Sequence, residues 1–185
     1  MMMKKSFTSR VITLASILAG LSTYATMASD GTLLFSSKLL GTACMITPSQ
    51  NIVLDDMAIG QFPSPGATAA LKEFEIELSN CPPQVKNAQI RFEGTASEYT
   101  AYRAFALDSQ DAPTTAKGIA FQIQNDPKYN IYASIAPNTL SYKVELDTTP
   151  GNINKLIFTG RYVAVSNDIK AGTANVTTQF SIIYP

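Results

Sequence analysis

The sequence has no histidine and no tryptophan, only two cysteines, and no excess of either charge, with 14 Lys and Arg against 14 Asp and Glu. Each shortage excludes something. Without histidine there is no His-based catalytic triad, and the commonest zinc ligand is missing. Two cysteines cannot assemble a structural zinc site of the usual Cys/His kind. Without a basic excess little can neutralise a phosphate backbone, so nucleic acid is not an expected partner. Charged residues of any sign are scarce, at 15%, whereas hydrophobic ones reach 45%. That balance favours a packed core over disorder. A length of 185 residues suits one domain, or two very small ones.

The apolar stretch near the start, roughly residues 11–21, is too short to span a bilayer as a permanent helix. Lys4, Lys5 and Arg10 precede it, and small residues follow, with Thr26 and Ala28 at the −3 and −1 positions of a cleavage site. This is the pattern of a secretory signal peptide over residues 1–28, with cleavage after Ala25 as the second choice. Removing it takes away three basic residues and no acid, which leaves 11 Lys and Arg against 14 Asp and Glu. In an exported chain, the pair Cys44 and Cys81 implies one disulfide rather than two buried thiols. It would close a loop of 38 residues. The chain-entropy model assigns about 4 kcal/mol to a loop of that size.

What fills the rest of the chain is alternation. Glu73, Glu75 and Glu77 share one strand face, and Phe74, Ile76 and Leu78 share the other. Residues 88–93 and 118–124 repeat the pattern, Tyr142, Val144 and Leu146 share a face, and so do Leu156, Phe158, Gly160, Tyr162 and Ala164. The last segment is the clearest, with Ala174, Val176, Thr178, Phe180, Ile182 and Tyr184 on one face. Turn residues separate these runs, as at Pro63-Ser64-Pro65-Gly66, Cys81-Pro82-Pro83 and Pro150-Gly151-Asn152. No long helical period stands out, although residues 67–72 have room for one turn. Short strands at this spacing predict an all-β sandwich in one domain.

The two ends carry the most information. Residues 33–40 form an extended apolar segment near the mature N-terminus, with Leu33, Phe35, Ser37 and Leu39 on one face. At the other end the sequence stops on its most regular strand, after Gly172, which is suited to start it. Residues 173–184 contain no Lys, Arg, Asp, Glu or Pro. An exposed, regular, apolar edge strand is an aggregation hazard that natural sheets usually blunt. Some other segment, of this chain or of another, is therefore expected to cover it.

These residues resemble the pilins of chaperone–usher fimbriae, the type 1-like fimbrial subunits, over essentially the whole mature chain. The first cysteine follows a short N-terminal strand, Gly41-Thr42-Ala43-Cys44, and the second follows the alternating run Phe74-Glu75-Ile76-Glu77-Leu78-Ser79-Asn80-Cys81-Pro82. Ile90-Arg91-Phe92-Glu93-Gly94 is similar to the family's apolar-x-Phe-x-Gly, and Gly118-Ile119-Ala120-Phe121-Gln122-Ile123 to its central strand. Phe158-Thr159-Gly160-Arg161-Tyr162 is similar to its Phe-x-Ala-x-Tyr, and Ala171-Gly172 before an alternating strand with penultimate Tyr184 to its C-terminal signature.

The resemblance implies an incomplete immunoglobulin-like sandwich lacking its final strand. It divides the chain into a signal peptide (1–28), a donor-strand extension (29–43) and a pilin domain (44–185). It also implies three kinds of partner: a periplasmic pilus chaperone, an outer-membrane usher and neighbouring pilin subunits. Chaperone and neighbour would in turn lay a strand in the open groove. Leu33, Phe35, Ser37 and Leu39 would then be the donor residues, and Gly172, Phe180, Ile182 and Tyr184 would mark the acceptor groove and chaperone edge. Where the family's donor strand usually has glycine, seven residues before the first cysteine, this chain has Ser37.

The implied role is a structural, non-enzymatic subunit of fimbriae assembled outside the cell, supporting adhesion and using no cofactor or metal. The alternative is a minor tip or adaptor subunit, or a receptor-binding pilin-domain adhesin. Only 15 residues separate Ser29 from Cys44, too few for the added lectin domain of a two-domain tip adhesin. A small secreted enzyme is the third reading. The acids Glu73, Glu75 and Glu77 fit a solvated face better than a glycosidase pair. Asp55-Asp56 and Asp108/Asp111 lack the spacing of a calcium loop. Asn175-Val176-Thr177 matches a glycosylation sequon by chance.

Overall fold

A computed structural model of the chain describes residues 43–46, 50–126, 128 and 133–185. All of them fall within one compact unit, Leu39–Pro185. The proposed signal peptide and the residues Leu33, Phe35, Ser37 and Leu39 lie outside the described residues.

Alternating sequence becomes two antiparallel sheets. The strands are β1 (Met45–Ile46), β2 (Thr68–Ser79), β3 (Asn87–Glu93), β4 (Ile119–Asn125), β5 (Ser134–Ile135), β6 (Val144–Glu145), β7 (Ile153–Ala164) and β8 (Gln179–Ile183). The larger sheet has the order β1-β2-β7-β4-β5 and the smaller β6-β3-β8. The sequence β1-β2-β7-β4 is that of the A, B, E and D strands of an immunoglobulin sandwich, and β3 and β8 take the places of C and F. Among the described residues no strand lies beyond β8, where the G strand of that fold belongs.

The apolar face of each run points between the sheets. Ile76 and Leu78 of β2, Ile90 and Phe92 of β3, Ile123 of β4 and Leu156 and Phe158 of β7 are all buried in one core. Phe92 reaches across from the small sheet to meet Phe158 edge-on at 5.0 Å and Phe74 at 6.1 Å, a geometry aromatic quadrupoles favour. The acids stay on the solvent face, where Lys155 Nζ lies 2.8 Å from Glu75 and 3.2 Å from Glu77. The Cys44–Cys81 disulfide, with Cα atoms 4.2 Å apart, ties the residue before β1 to the end of β2.

Two features were not expected from the sequence. Of residues 67–72, which have room for a helical turn, all but the first are strand: Thr68 and Ala69 pair with Val163 and Tyr162 of β7, and the register shifts between Ala69 and Lys72. Ala70 takes a left-handed φ of 53° within that bulge. Pairing with a twelve-residue neighbour overrides the local helical preference of alanine and leucine. The expected strand over 173–184 is regular only over Gln179–Ile183, because residues 170–173 pair instead with the segment 114–117.

Gly160 shows why one position in the long alternating run of β7 is a glycine. The tip of the Phe121 ring lies over it, 2.5 Å from where a Cβ would stand, and the same ring packs on Tyr162 at 5.1 Å. Replacing Gly160 with alanine is expected to lower unfolding stability by about 1–3 kcal/mol, the usual cost of overpacking. Ala70→Gly relieves a left-handed alanine and is expected to leave stability unchanged or raised by up to about 1 kcal/mol. Denaturant unfolding of both variants checks the pair; a stable Gly160→Ala protein would contradict the ring placement.

Candidate functional site

Among the described residues the core closes on three sides and stays open on the fourth. Ile90 and Phe92 of β3 are 0% and 3% exposed. Their direct cross-strand partners on β8 are Ile182 and Phe180, which share the same face of the sheet. One strand further out, these two side chains are only half-buried, and so are Ala174, Val176 and Tyr184, although all five pack against the core. The inner face of the smaller sheet therefore loses its cover at β8.

The four sheet edges are not alike. β1, β5 and β6 are each two residues long, which offers little ladder to a foreign strand. The exposed edge of β2 beyond β1 is broken by the bulge at Ala69/Lys72 and fronted by three acids, and the Gln50 side-chain amide occupies the Glu75 carbonyl at 2.7 Å. Five residues long and without a charged residue, β8 carries none of these defences.

The flanks of β8 are fastened by groups outside the ladder. Gly172 sits where a Cβ would lie 2.4 Å from the Ala116 nitrogen and 2.5 Å from the Thr114 carbonyl oxygen, so the reason for a glycine there is the closeness of the neighbouring backbone. Thr173 N–H donates to Thr114 O at 2.8 Å, and Ala116 N–H to Thr173 O at 2.9 Å. The Asp108 carboxylate accepts the Thr177 N–H at 3.0 Å and the Thr177 hydroxyl at 2.7 Å, while Asp108 N–H donates to Asn175 O. The Tyr162 hydroxyl donates to Ala174 O. Burial, and then the Asp108 charge, hold the Tyr162 phenol above its ordinary pKa, so it stays a donor. At the far end Tyr184 is raised by burial, partly offset by a hydrogen bond from the Cys44 backbone. That bond sets the end of the C-terminal segment beside the disulfide and the start of β1.

The structure thus brings Gly172, Phe180, Ile182 and Tyr184 onto one C-terminal segment, with Cys44 and Cys81 joined at its lower end. Sequence reasoning missed Asp108 and Tyr162 as anchors of this segment. Asp108 stood out only as half of an unconvincing calcium pair, and nothing in its local pattern points to a partner 69 residues away. Half-buried Leu54 and Met57 also pack on the same core and were not singled out. Among the described residues there is no group of His, Cys, Asp and Glu able to hold a metal.

A family model described as "Fimbrial protein" matches residues 33–185. The chain is 30% identical to the fimbrial-like protein SfmA of Escherichia coli strain K12, over 98% of this chain and 99% of that one. It is also 30% identical to the fimbrial subunit type 1 of Salmonella typhimurium, over 83% and 82% of the two chains. In structure it is similar to an antigen and type I fimbria protein of Burkholderia pseudomallei, with a TM-score of 0.56 and 25% identity over 77% of this chain and 90% of that one. An open immunoglobulin-like sandwich and these relatives lead to one conclusion: the chain belongs to the fimbrial protein family, as a structural pilin subunit.

Proposed function

We propose that this pilin polymerises by strand exchange along the free edge of β8, and that the N-terminal segment 33–40 of a neighbouring copy is the strand it receives. The observation that carries the reading is the fall in burial from Ile90 and Phe92 to Ile182 and Phe180 across one strand of one sheet face. A strand added beside β8 would pair its free backbone groups and cover that row. Leu33, Phe35 and Leu39 recur at even intervals, so they project to one side over about 20 Å. The apolar row from Val176 to Tyr184 runs for about 27 Å, long enough to take them. Burying three such side chains contributes on the order of 5–9 kcal/mol, with the backbone hydrogen bonds adding to it.

In this reading a periplasmic chaperone strand holds the same edge first, and the exchange takes place at an outer-membrane usher. Transit through the periplasm, the single Cys44–Cys81 bridge and assembly into surface fimbriae that support adhesion form one route. Nothing in the reading requires an enzymatic activity. Tyr184, tied to the Cys44 backbone, would fix where the incoming strand stops.

The test uses protein lacking residues 1–40, refolded with and without a synthetic peptide of residues 29–41. The peptide is expected to bind and raise the melting temperature by roughly 10 °C or more, and a scrambled peptide to do neither. Tyr184→Ala should weaken capture, and deletion of residues 179–185 should abolish it. A peptide-free protein that melts as high as the complemented one would show that the fold needs no donor.

Ser37 gives a second, kinetic prediction. A serine buried in a pocket shaped for glycine carries a hydroxyl that needs a partner. Ser37→Gly should therefore speed displacement of the chaperone in purified chaperone–subunit complexes. An unchanged exchange rate would mean that the neighbour's pocket accommodates the hydroxyl.

A further inference from the structure

Each end of the sandwich exposes apolar side chains that a strand laid beside β8 would not cover. At the lower end β2 and β8 stop, β3 and β7 begin, and Tyr184 meets the Cys44 backbone. Met45, Ser79 and Ile153 stand there in one cross-strand row, since Met45 pairs with Ser79 and Ser79 with Ile153. Met45 is 62% exposed, Ile153 51%, and Ile46, next in β1, 41%. The Asn80 side-chain amide donates to Met45 Sδ at 3.1 Å, which holds a flexible side chain on this rim. The following row of the same face, Glu77 and Lys155, is charged and paired, so the apolar patch is confined to the end of the molecule.

From β1 the chain climbs the side of the sandwich. Gln50 bonds the Glu75 carbonyl at the β2 edge, and Leu54 and Met57 pack on the core. The turn Ile59–Gln61 follows, just before buried Phe62. Gly66 N–H then donates to Ala164 O, at the upper end of β7. Ile59 thus belongs to the upper end, where it is 49% exposed.

Strand exchange, on which this inference rests, brings the two ends together. The missing strand of an antiparallel sheet runs opposite to β8, so a donor laid there enters at the lower end and leaves at the upper one. Leu39 is the last apolar donor residue, and Cys44 follows five residues later, a reach of at most about 18 Å. The donating body is therefore held with its own lower end close to the upper end of the body that receives.

We infer that Met45, Ile46 and Ile153 of each subunit pack on the upper end of the next copy around Ile59, as a head-to-tail contact beside the donated strand. The contact joins two different patches, so it repeats along a fibre without closing. The donated strand links the bodies; the apolar contact sets the angle between them. Because the link already holds the two ends close, a patch far smaller than a free dimer needs is sufficient.

Peroxide footprinting tests it, with Met45 as the reporter. Hydrogen peroxide gives one oxygen to an accessible thioether, leaving the sulfoxide and water. Met57, packed on the core, is the internal standard. In the subunit lacking residues 1–40 and complemented with the 29–41 peptide, Met45 is expected to oxidise fast. In fibres of the mature chain it should oxidise about tenfold or more slowly, while Met57 behaves alike in both. Ile153→Asp and Ile59→Asp, both at exposed positions, should each return Met45 in fibres to the single-subunit rate without changing peptide binding. Met45 oxidised equally fast in fibres and single subunits would overturn the inference, as would protection that survives both substitutions. Protection lost in Ile153→Asp but kept in Ile59→Asp would overturn the assignment of the receiving end. A subunit that binds no peptide sinks the strand-exchange reading and this inference with it; one that binds the peptide but gains no protection in fibres sinks this inference alone.

Discussion

The structure depends on a core that lacks one strand's worth of cover. Phe74, Phe92 and Phe158 meet between the sheets with ring centroids 5.0–6.1 Å apart, and around them the interior is closed. One strand out, at β8, the same apolar row is half in water. Exposed apolar surface of this kind is either a liability or a binding site. The treatment of the other edges separates the two. β1, β5 and β6 are cut to two residues, and the β2 edge is bent by a bulge and lined with acids. Among the described residues β8 is the one edge left unblunted, which is what the proposed strand exchange requires.

Much of this was legible in the sequence, for a physical reason. In a two-sheet sandwich every strand has a dry face and another environment opposite, so period-2 alternation survives in β2, β3, β4 and β7, and all four were expected there, β2 without its first five residues. The alternation also survives as alternating exposure over 174–180, although only Gln179–Ile183 is laddered. What could not be read was decided by partners distant in sequence. The left-handed Ala70 follows from pairing with β7, and the diversion of residues 170–173 follows from the 114–117 segment. β5 is a strand only because β4 lies beside it. The burial of Gln124 was hidden for a similar reason, since a glutamine in an alternating strand looks like an ordinary wet-face residue.

The anchors of the C-terminal segment explain how an open groove keeps its shape. A strand paired on one side only tends to fray, and a collapsed wall would have to be rebuilt before anything could bind. Here the upper half is held away from the ladder by Asp108 on Thr177, by Tyr162 on Ala174 and by the close fit of Gly172 against residues 114–116. The lower half is held by β3, and its end by the Cys44 backbone on Tyr184. None of the three upper anchors depends on a strand lying beside β8. In the proposed strand exchange the wall would therefore be ordered beforehand, and association would lose less conformational entropy than with a loose wall. Preorganisation of that kind favours tight, slowly released strand binding. The same anchors bring the disulfide into the argument: by fixing Cys44 to the end of β2 it fixes the point against which Tyr184, and with it the register of the whole edge, is set.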